Sequence, residues 1–196
     1  MAEARTRRGS AEVEAAILTA TLELVAERGY TALGVDAVAE RAGAARSVLY
    51  RRWPDKPHLV AAALEHARVG LVPDDGSGDL RTDLRTVLRN VADLLAGPLG
   101  AACAALHAER SAKPEVREAA ARAGLDTRRL AIAQVLERAV AAGELRPGVL
   151  TAQAPHAGTA LLLFHLFDAE RPVDHALADA VLDDVVWPAV ERWATW

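Results

Sequence analysis

The sequence predicts an all-α fold of about nine helices. A small N-terminal helix-turn-helix domain, residues 1–57, is joined by a linking helix to a larger helical domain, residues 58–196. Three observations predict it. Apolar residues recur at three- and four-residue spacing in segment after segment, with no strand-like alternation. Glycine and proline clusters punctuate the chain at helix-length intervals, as in V-P-D-D-G-S-G at 72–78, Gly97-Pro98 and G-E-L-R-P-G at 143–148. Val35 to Lys56 reads as two short helices with Gly43 at their joint, where a tight turn needs φ > 0 and no Cβ.

A chain of 196 residues can bury a real core, and it has no apolar run long enough to cross a membrane. The basic N-terminus, M-A-E-A-R-T-R-R-G-S, leads into an amphipathic pattern and not into an apolar signal segment. One cysteine, Cys103, excludes an intrachain disulfide and fits a reducing cytoplasm. Arginine and alanine dominate over two lysines, a bias that suggests a GC-rich genome. The net charge of −4 divides unevenly, with +1 on residues 1–57 and −5 on the remainder. Local basicity governs phosphate contact, and Arg46, Arg51, Arg52 and Lys56 crowd together in the less acidic part.

In chain order, Arg5 to Gly9 is expected to be a basic arm that orders on DNA or a plain solvated tail, with Ser10 capping the first helix. Val13, Ile17, Ala20 and Leu24 form that helix's stripe, and Gly29 ends it. Val35, Val38, Ala39 and Ala42 supply the apolar face of the next. The following helix, 45–53, buries Val48, Leu49 and Trp53 and turns Arg46, Ser47, Tyr50, Arg51 and Arg52 outward. Arginines, a hydroxyl and a tyrosine on one face suit a DNA groove. Pro54 suits the start of the linking helix, and Lys56 in its first turn opposes the helix dipole, a misfit that favours a reason such as phosphate contact.

Beyond the loop at 72–78, Leu80, Leu84, Val87, Val91 and Leu94 with Leu88 and Leu95 mark a strongly amphipathic helix. Helices are then expected over 99–112, 114–142, 150–169 and 174–196, the last kinked at Pro188 by loss of a bond to the Asp184 carbonyl. The final two carry more apolar surface than one layer hides. Ala157, Gly158, Leu161, Leu177, Val181 and Val185 are therefore the expected homodimer interface.

A ligand pocket, if one exists, should lie after residue 58, with Asn90, Cys103, His107, Arg110 and His165 as polar candidates and Leu94 and Leu106 as apolar wall. Packing roles are at least as good an account of each. Cys103 and His107 stand at i, i+4, which is metal-ligand spacing, but no further ligand motif accompanies them. His165 and Asp168 stand at i, i+3 without a recognisable nucleophile. No catalytic residue, metal or cofactor is assigned; a helical enzyme using His107 or His165 is the weaker alternative.

Residues 29–56, G-Y-T-A-L-G-V-D-A-V-A-E-R-A-G-A-A-R-S-V-L-Y-R-R-W-P-D-K, resemble the DNA-binding segment of TetR-type transcriptional regulators. The G-Y pair, the A-x-x-A-G turn, the L-Y of the reading helix and the lysine six residues later carry the resemblance. It implies a homodimeric repressor that binds a palindromic double-stranded operator and is released by a small-molecule effector. It places Arg46 at a base-reading position, Ser47 at a close-approach position, Tyr50 and Arg52 at phosphate-contacting positions, and Lys56 where a lysine holds the DNA backbone. Control by a protein partner in place of a small molecule stays open. The chain departs from the pattern where Leu33 and Gly34 replace hydroxyl residues and where Ala45 and Val48 replace the serine cap and threonine of the reading helix. More of the binding should then fall on arginines.

Overall fold

The structure, a computed structural model, describes residues 2–68, 76–109, 113–122, 131–168 and 172–195. Their helices are α1 (Ala2–Arg28), α2 (Val35–Arg41), α3 (Arg46–Arg52), α4 (Lys56–His66), α5 (Leu80–Ala96), α6 (Pro98–Glu109), α7 (Pro114–Arg122), α8 (Ala131–Ala141), α9 (Ala154–Asp168), α10 (His175–Val181) and α11 (Trp187–Glu191). A 3-10 turn, Pro147–Thr151, precedes α9. The expected helix over 114–142 is seen as α7 and α8, and the residues between them lie outside the described ones.

The chain packs as two compact units that do not follow chain order. One comprises residues 1–69 with 98–124, the other 70–97 with 125–196. In the first, α1 is the spine: α4 and α6 pack on it, and α7 packs on α4. Ile17, Ala20 and Leu24 of the predicted stripe are buried, while Val13 stays exposed. The helix begins at Ala2, well before Ser10, so Arg5 to Gly9 is helical backbone and Ser10 is no cap. Ala, Glu and Arg are good helix formers and extend α1 through Gly9.

The second unit is built on α5, α8, α9 and α10. Leu84, Leu88, Ile132, Leu136, Leu162, Leu182 and Val186 close its core. On the rim, Arg81, Arg85 and Arg89 of α5 stand one turn apart and meet Asp179 and Asp183, also one turn apart. Arg89 grips Asp179 with two bonds of 2.9 and 2.6 Å, and Arg81 reaches Asp183 at 3.0 Å. These carboxylate pairs hold α5 against α10 and the turn that follows it. After α8, Gly143 takes φ 79° and closes a Schellman turn, with Glu144 N–H on the Ala139 carbonyl. The G-E-L-R segment then pairs with the C-terminus, Arg146 N–H donating to the Trp193 carbonyl and Thr195 N–H to Glu144. The Trp193 ring fills the space over Gly148 that a Cβ would occupy.

Pro188 acts otherwise than as a simple kink. The residues just before it, Leu182–Val186, form a π turn, and Trp187 N–H bonds the Leu182 carbonyl five residues back. A wider turn absorbs the missing proline donor within one continuous helical run from α10 to α11.

The structure also sorts the expected interface. Gly158, Leu177 and Val181 sit in the unit's own core, and Ala157 and Leu161 are half-buried. Val185 is exposed, and so are Phe164 (58 %) and Phe167 on α9. A small-residue face serves close packing within a protomer as readily as between two. At Gly158 a Cβ would come within 2.7 Å of Ile132 Cδ1 and 2.8 Å of Leu88 Cδ2. Gly158→Val should therefore lower stability by about 1–3 kcal/mol through overpacking, read as a fall in the urea midpoint; an unchanged midpoint would place Gly158 outside the core.

Candidate nucleic-acid interface

The joint of the α2–α3 hairpin forms as its sequence dictates. Gly43 adopts φ 61°, Ala44 N–H bonds the Ala39 carbonyl at 2.9 Å, and Gly43 N–H bonds Glu40. This Schellman closure satisfies the last carbonyls of α2 and turns the chain into α3. α3 is anchored by Leu49, which is 1 % exposed, while Ser47, Arg51 and Tyr50 (59 %) face solvent. Ala45 at the N-cap offers no side-chain acceptor, and neither does Gly34 ahead of α2. By contrast Asp55 caps α4, accepting His58 N–H at 2.9 Å, so that helix starts at Lys56 and not at Pro54.

Ion pairs fix what the missing caps do not. Arg46 Nε meets Asp36 of α2 at 2.7 Å on open surface. Arg52 reaches back to α1, donating to the Glu14 carboxylate and to Ser10 Oγ, the latter at 2.6 Å. Arg41 of α2 clasps Glu27 of α1 through two bonds. Of the arginines on α3, Arg51 is the one that makes no such contact with the described residues.

Lys56 is turned inward. Its ammonium donates to the carbonyls of Tyr30 (3.0 Å), Leu33 (3.1 Å) and Thr31 (3.3 Å), and lies 4.6 Å above the Tyr30 ring. Three donors meet three acceptors, and the partial burial that results pulls its pKa down. The same turn is held from its other side by α6. Glu109 accepts Tyr30 N–H at 2.7 Å, Thr31 N–H at 2.9 Å and the Thr31 hydroxyl, which Lys113 also approaches at 2.7 Å. Gly29, at φ 79°, is required twice over: for its backbone and because a Cβ there would strike Glu109 Oε1. Tyr30 is 1 % exposed, and its hydroxyl, without a partner among the described residues, is pushed up to about 12 by burial and by nearby Glu115 and Asp55. Sequence reasoning named Lys56 but missed Glu109, Thr31, Asp36 and Glu14.

The other candidates divide between the two units. Cys103, Leu106 and His107 belong to the first unit, Asn90, Leu94 and His165 to the second, and Arg110 lies outside the described residues. Burial pushes the Cys103 thiol up, partly offset by the Arg68 guanidinium, so the thiol is protonated at neutral pH. His165 stands edge-on to Phe164, ring centroids 5.6 Å apart. The described residues contain no group of three or more His, Cys, Asp or Glu side chains placed to hold a metal, and no single helix long and apolar enough to cross a membrane.

Residues 72–185 match the model of the tetracyclin repressor-like C-terminal domain, and residues 17–63 match that of the bacterial regulatory proteins of the tetR family. The chain belongs to the TetR family of DNA-binding transcriptional regulators. It is 33 % identical over 183 residues to an uncharacterised HTH-type transcriptional regulator of Mycobacterium bovis, covering 91 % of this chain and 88 % of that protein. A DNA-binding transcriptional repressor TetR of Mycobacteroides abscessus is 31 % identical over 178 residues, covering 88 % and 90 %. Among solved structures, the TetR family transcription regulator SCO0332 superposes with a TM-score of 0.68 at 26 % identity, over 89 % of this chain and 97 % of that one.

In this regulator the Glu109 carboxyl feels opposed effects. Burial raises its pKa, but the Thr31 and Tyr30 hydrogen bonds and Lys113 outweigh that and hold it below the ordinary carboxylate value. A depressed folded-state pKa contributes stability present above the unfolded value of about 4.3 and lost as pH falls through the folded one. Wild type should thus melt higher than Glu109→Gln at neutral pH, and thermal melts should show the gap closing below about pH 4. A gap that persists unchanged into acid would contradict the ionised contact.

Proposed function

We propose that this regulator is a homodimeric repressor that reads a palindromic operator with α3 and leaves it when a small molecule binds the part of the chain after residue 58. The observation that carries the reading is the face of α3: Leu49 anchors it while Arg46, Ser47, Tyr50 and Arg51 stand in solvent. Arg46 is assigned to a guanine edge, Ser47 to close approach, and Tyr50 and Arg51 to phosphates. Arg52 and Lys56 stay assigned to the same surface, with their donors already engaged on Glu14, Ser10 and the 30–33 carbonyls. The likeness to the M. abscessus repressor supports repression over activation.

The exposed phenylalanines of α9 support the dimer. Phe164, Phe167 and the exposed Val185 leave apolar area uncovered on the second unit, and two-fold symmetry is what a palindromic site demands. For the effector, a solved FadR of Bacillus subtilis with the same fold, 20 % identical with a TM-score of 0.62, is in complex with stearoyl-CoA. That supports a small-molecule effector here without naming it.

The test is selection of bound genomic fragments by the purified protein, followed by variants on the recovered site. Arg46→Ala should lose about 1–3 kcal/mol of discrimination at one base position. Arg51→Ala should weaken all sequences alike and reduce the slope of log K against log salt by about one. Wild-type binding by both variants would remove α3 from the interface. Phe164→Asp should shift the protein from dimer to monomer in analytical ultracentrifugation, and a wild-type profile would move the dimer contact off α9.

A further inference from the structure

We infer that Glu109, far outside residues 17–63, is a positioning residue for DNA recognition: through the α1–α2 turn it fixes where the reading hairpin begins. The inference rests on the DNA-reading role proposed for α3.

A helix C-terminus normally satisfies its own carbonyls by folding the next N–H groups back onto them, as Gly43-Ala44 and Gly143-Glu144 do in this chain. The end of α1 does so only once, in the simpler αL closure. Gly29 N–H bonds Val25, but the next two N–H groups, of Tyr30 and Thr31, both go to Glu109 of α6. The carbonyls of the same turn go to Lys56 of α4. Five backbone groups of a four-residue turn are therefore held by two opposite charges from two other helices. Beyond the buried Tyr30 and Leu33 side chains and Lys113 on the Thr31 hydroxyl, the turn has little else to hold it. Gly34 caps α2 without a side-chain bond, and one local hydrogen bond, Leu33 N–H to Tyr30, closes the turn.

The consequence is directional. Lys56 alone would fix the carbonyl side of the peptide planes; Glu109 fixes the amide side, and together they set the planes' orientation at the point from which α2 departs. α3 follows α2 through the rigid Schellman joint at Gly43. An error at residue 30 is thus passed to the side chains that meet DNA. Glu109 touches no DNA in this scheme, so its effect must appear without loss of a phosphate contact. Its charge supplies a clean discriminator. A bystander carboxylate in a DNA-binding unit repels phosphate, and its removal tightens binding.

The experiment uses the full chain, wild type and Glu109→Ala, on the operator recovered with wild type. Amide exchange at Tyr30 and Thr31 should accelerate at least tenfold in the variant. Operator affinity should fall about tenfold, the loss of one charge-assisted contact's worth of order, with the salt slope unchanged. Equal or tighter binding by a folded Glu109→Ala overturns the proposal, as does a weakened complex whose salt slope also drops by one. Should Glu109→Ala not fold, Glu109→Gln carries the same comparison: it keeps one acceptor oxygen and should fall between wild type and a fivefold loss. If wild type recovers no operator, the regulatory reading fails, while the exchange measurement still decides whether Glu109 holds the turn.

Discussion

The turn at Gly29 to Leu33 is the constraint on which the N-terminal unit depends. It contains the backbone groups that a helix end leaves without partners, and it must change the chain's direction before α2. The protein solves both demands with charges from α4 and α6. Opposite charges on opposite sides suit the chemistry, because peptide N–H groups prefer an anion and carbonyls a cation. Gly29 makes the approach sterically feasible, and the Tyr30 ring lies 4.6 Å beneath the Lys56 ammonium. The reading hairpin, α2 and α3, is thereby held by three further helices, α1, α4 and α6, that carry none of its outward-facing residues.

That arrangement changes what a DNA-binding arginine means here. Positive charge on α3 is not simply displayed to solvent; Arg46 is shared with Asp36 and Arg52 with Glu14. Exposed pairs of this kind are worth roughly 0–1 kcal/mol each, so they orient side chains more than they stabilise the fold. The less exposed Arg52, tied to both Glu14 and Ser10, holds the C-terminal end of α3 against α1. Arg46, on open surface, is free to exchange its carboxylate for a base edge.

Local features were legible in the sequence and non-local ones were not. In the α5 stripe Leu80, Leu84, Val87, Leu88, Val91 and Leu95 are buried as read, and Leu94 is half-buried, because helical periodicity is a property of neighbours. Gly43 was read because a Schellman turn needs positive φ at that point. The missing caps at Gly34 and Ala45 could likewise be seen. Glu109 was invisible: its partners lie 78 and 79 residues away and are backbone amides, which carry no sequence signal. Lys56 showed as a misfit at a helix start, but the misfit did not reveal that its partners were carbonyls. Gly158 was ambiguous because small residues allow close approach whether the neighbour is Ile132 of the same chain or a second copy. Pro188 announced a missing donor but not that a π turn with a buried Val186 would take it up in place of a kink.

The lost caps and the ion pairs are two sides of one substitution. A capping hydroxyl stabilises a helix by about 1 kcal/mol through a short, local bond that salt hardly touches. A surface ion pair supplies at most a comparable free energy, roughly 0–1 kcal/mol, through a field that salt screens over about 8–10 Å. Trading one for the other at α3 makes the placement of the reading helix sensitive to ionic strength, and phosphate contact is sensitive in the same direction. The steepness of DNA binding with salt would then exceed what the count of phosphate contacts alone supplies. Glu109 and Lys56 differ in that their bonds end on backbone groups of the turn, those to Tyr30 and Leu33 partly buried. The unit thus places charges bonded to backbone where the chain must turn and charges paired with carboxylates on the reading helix.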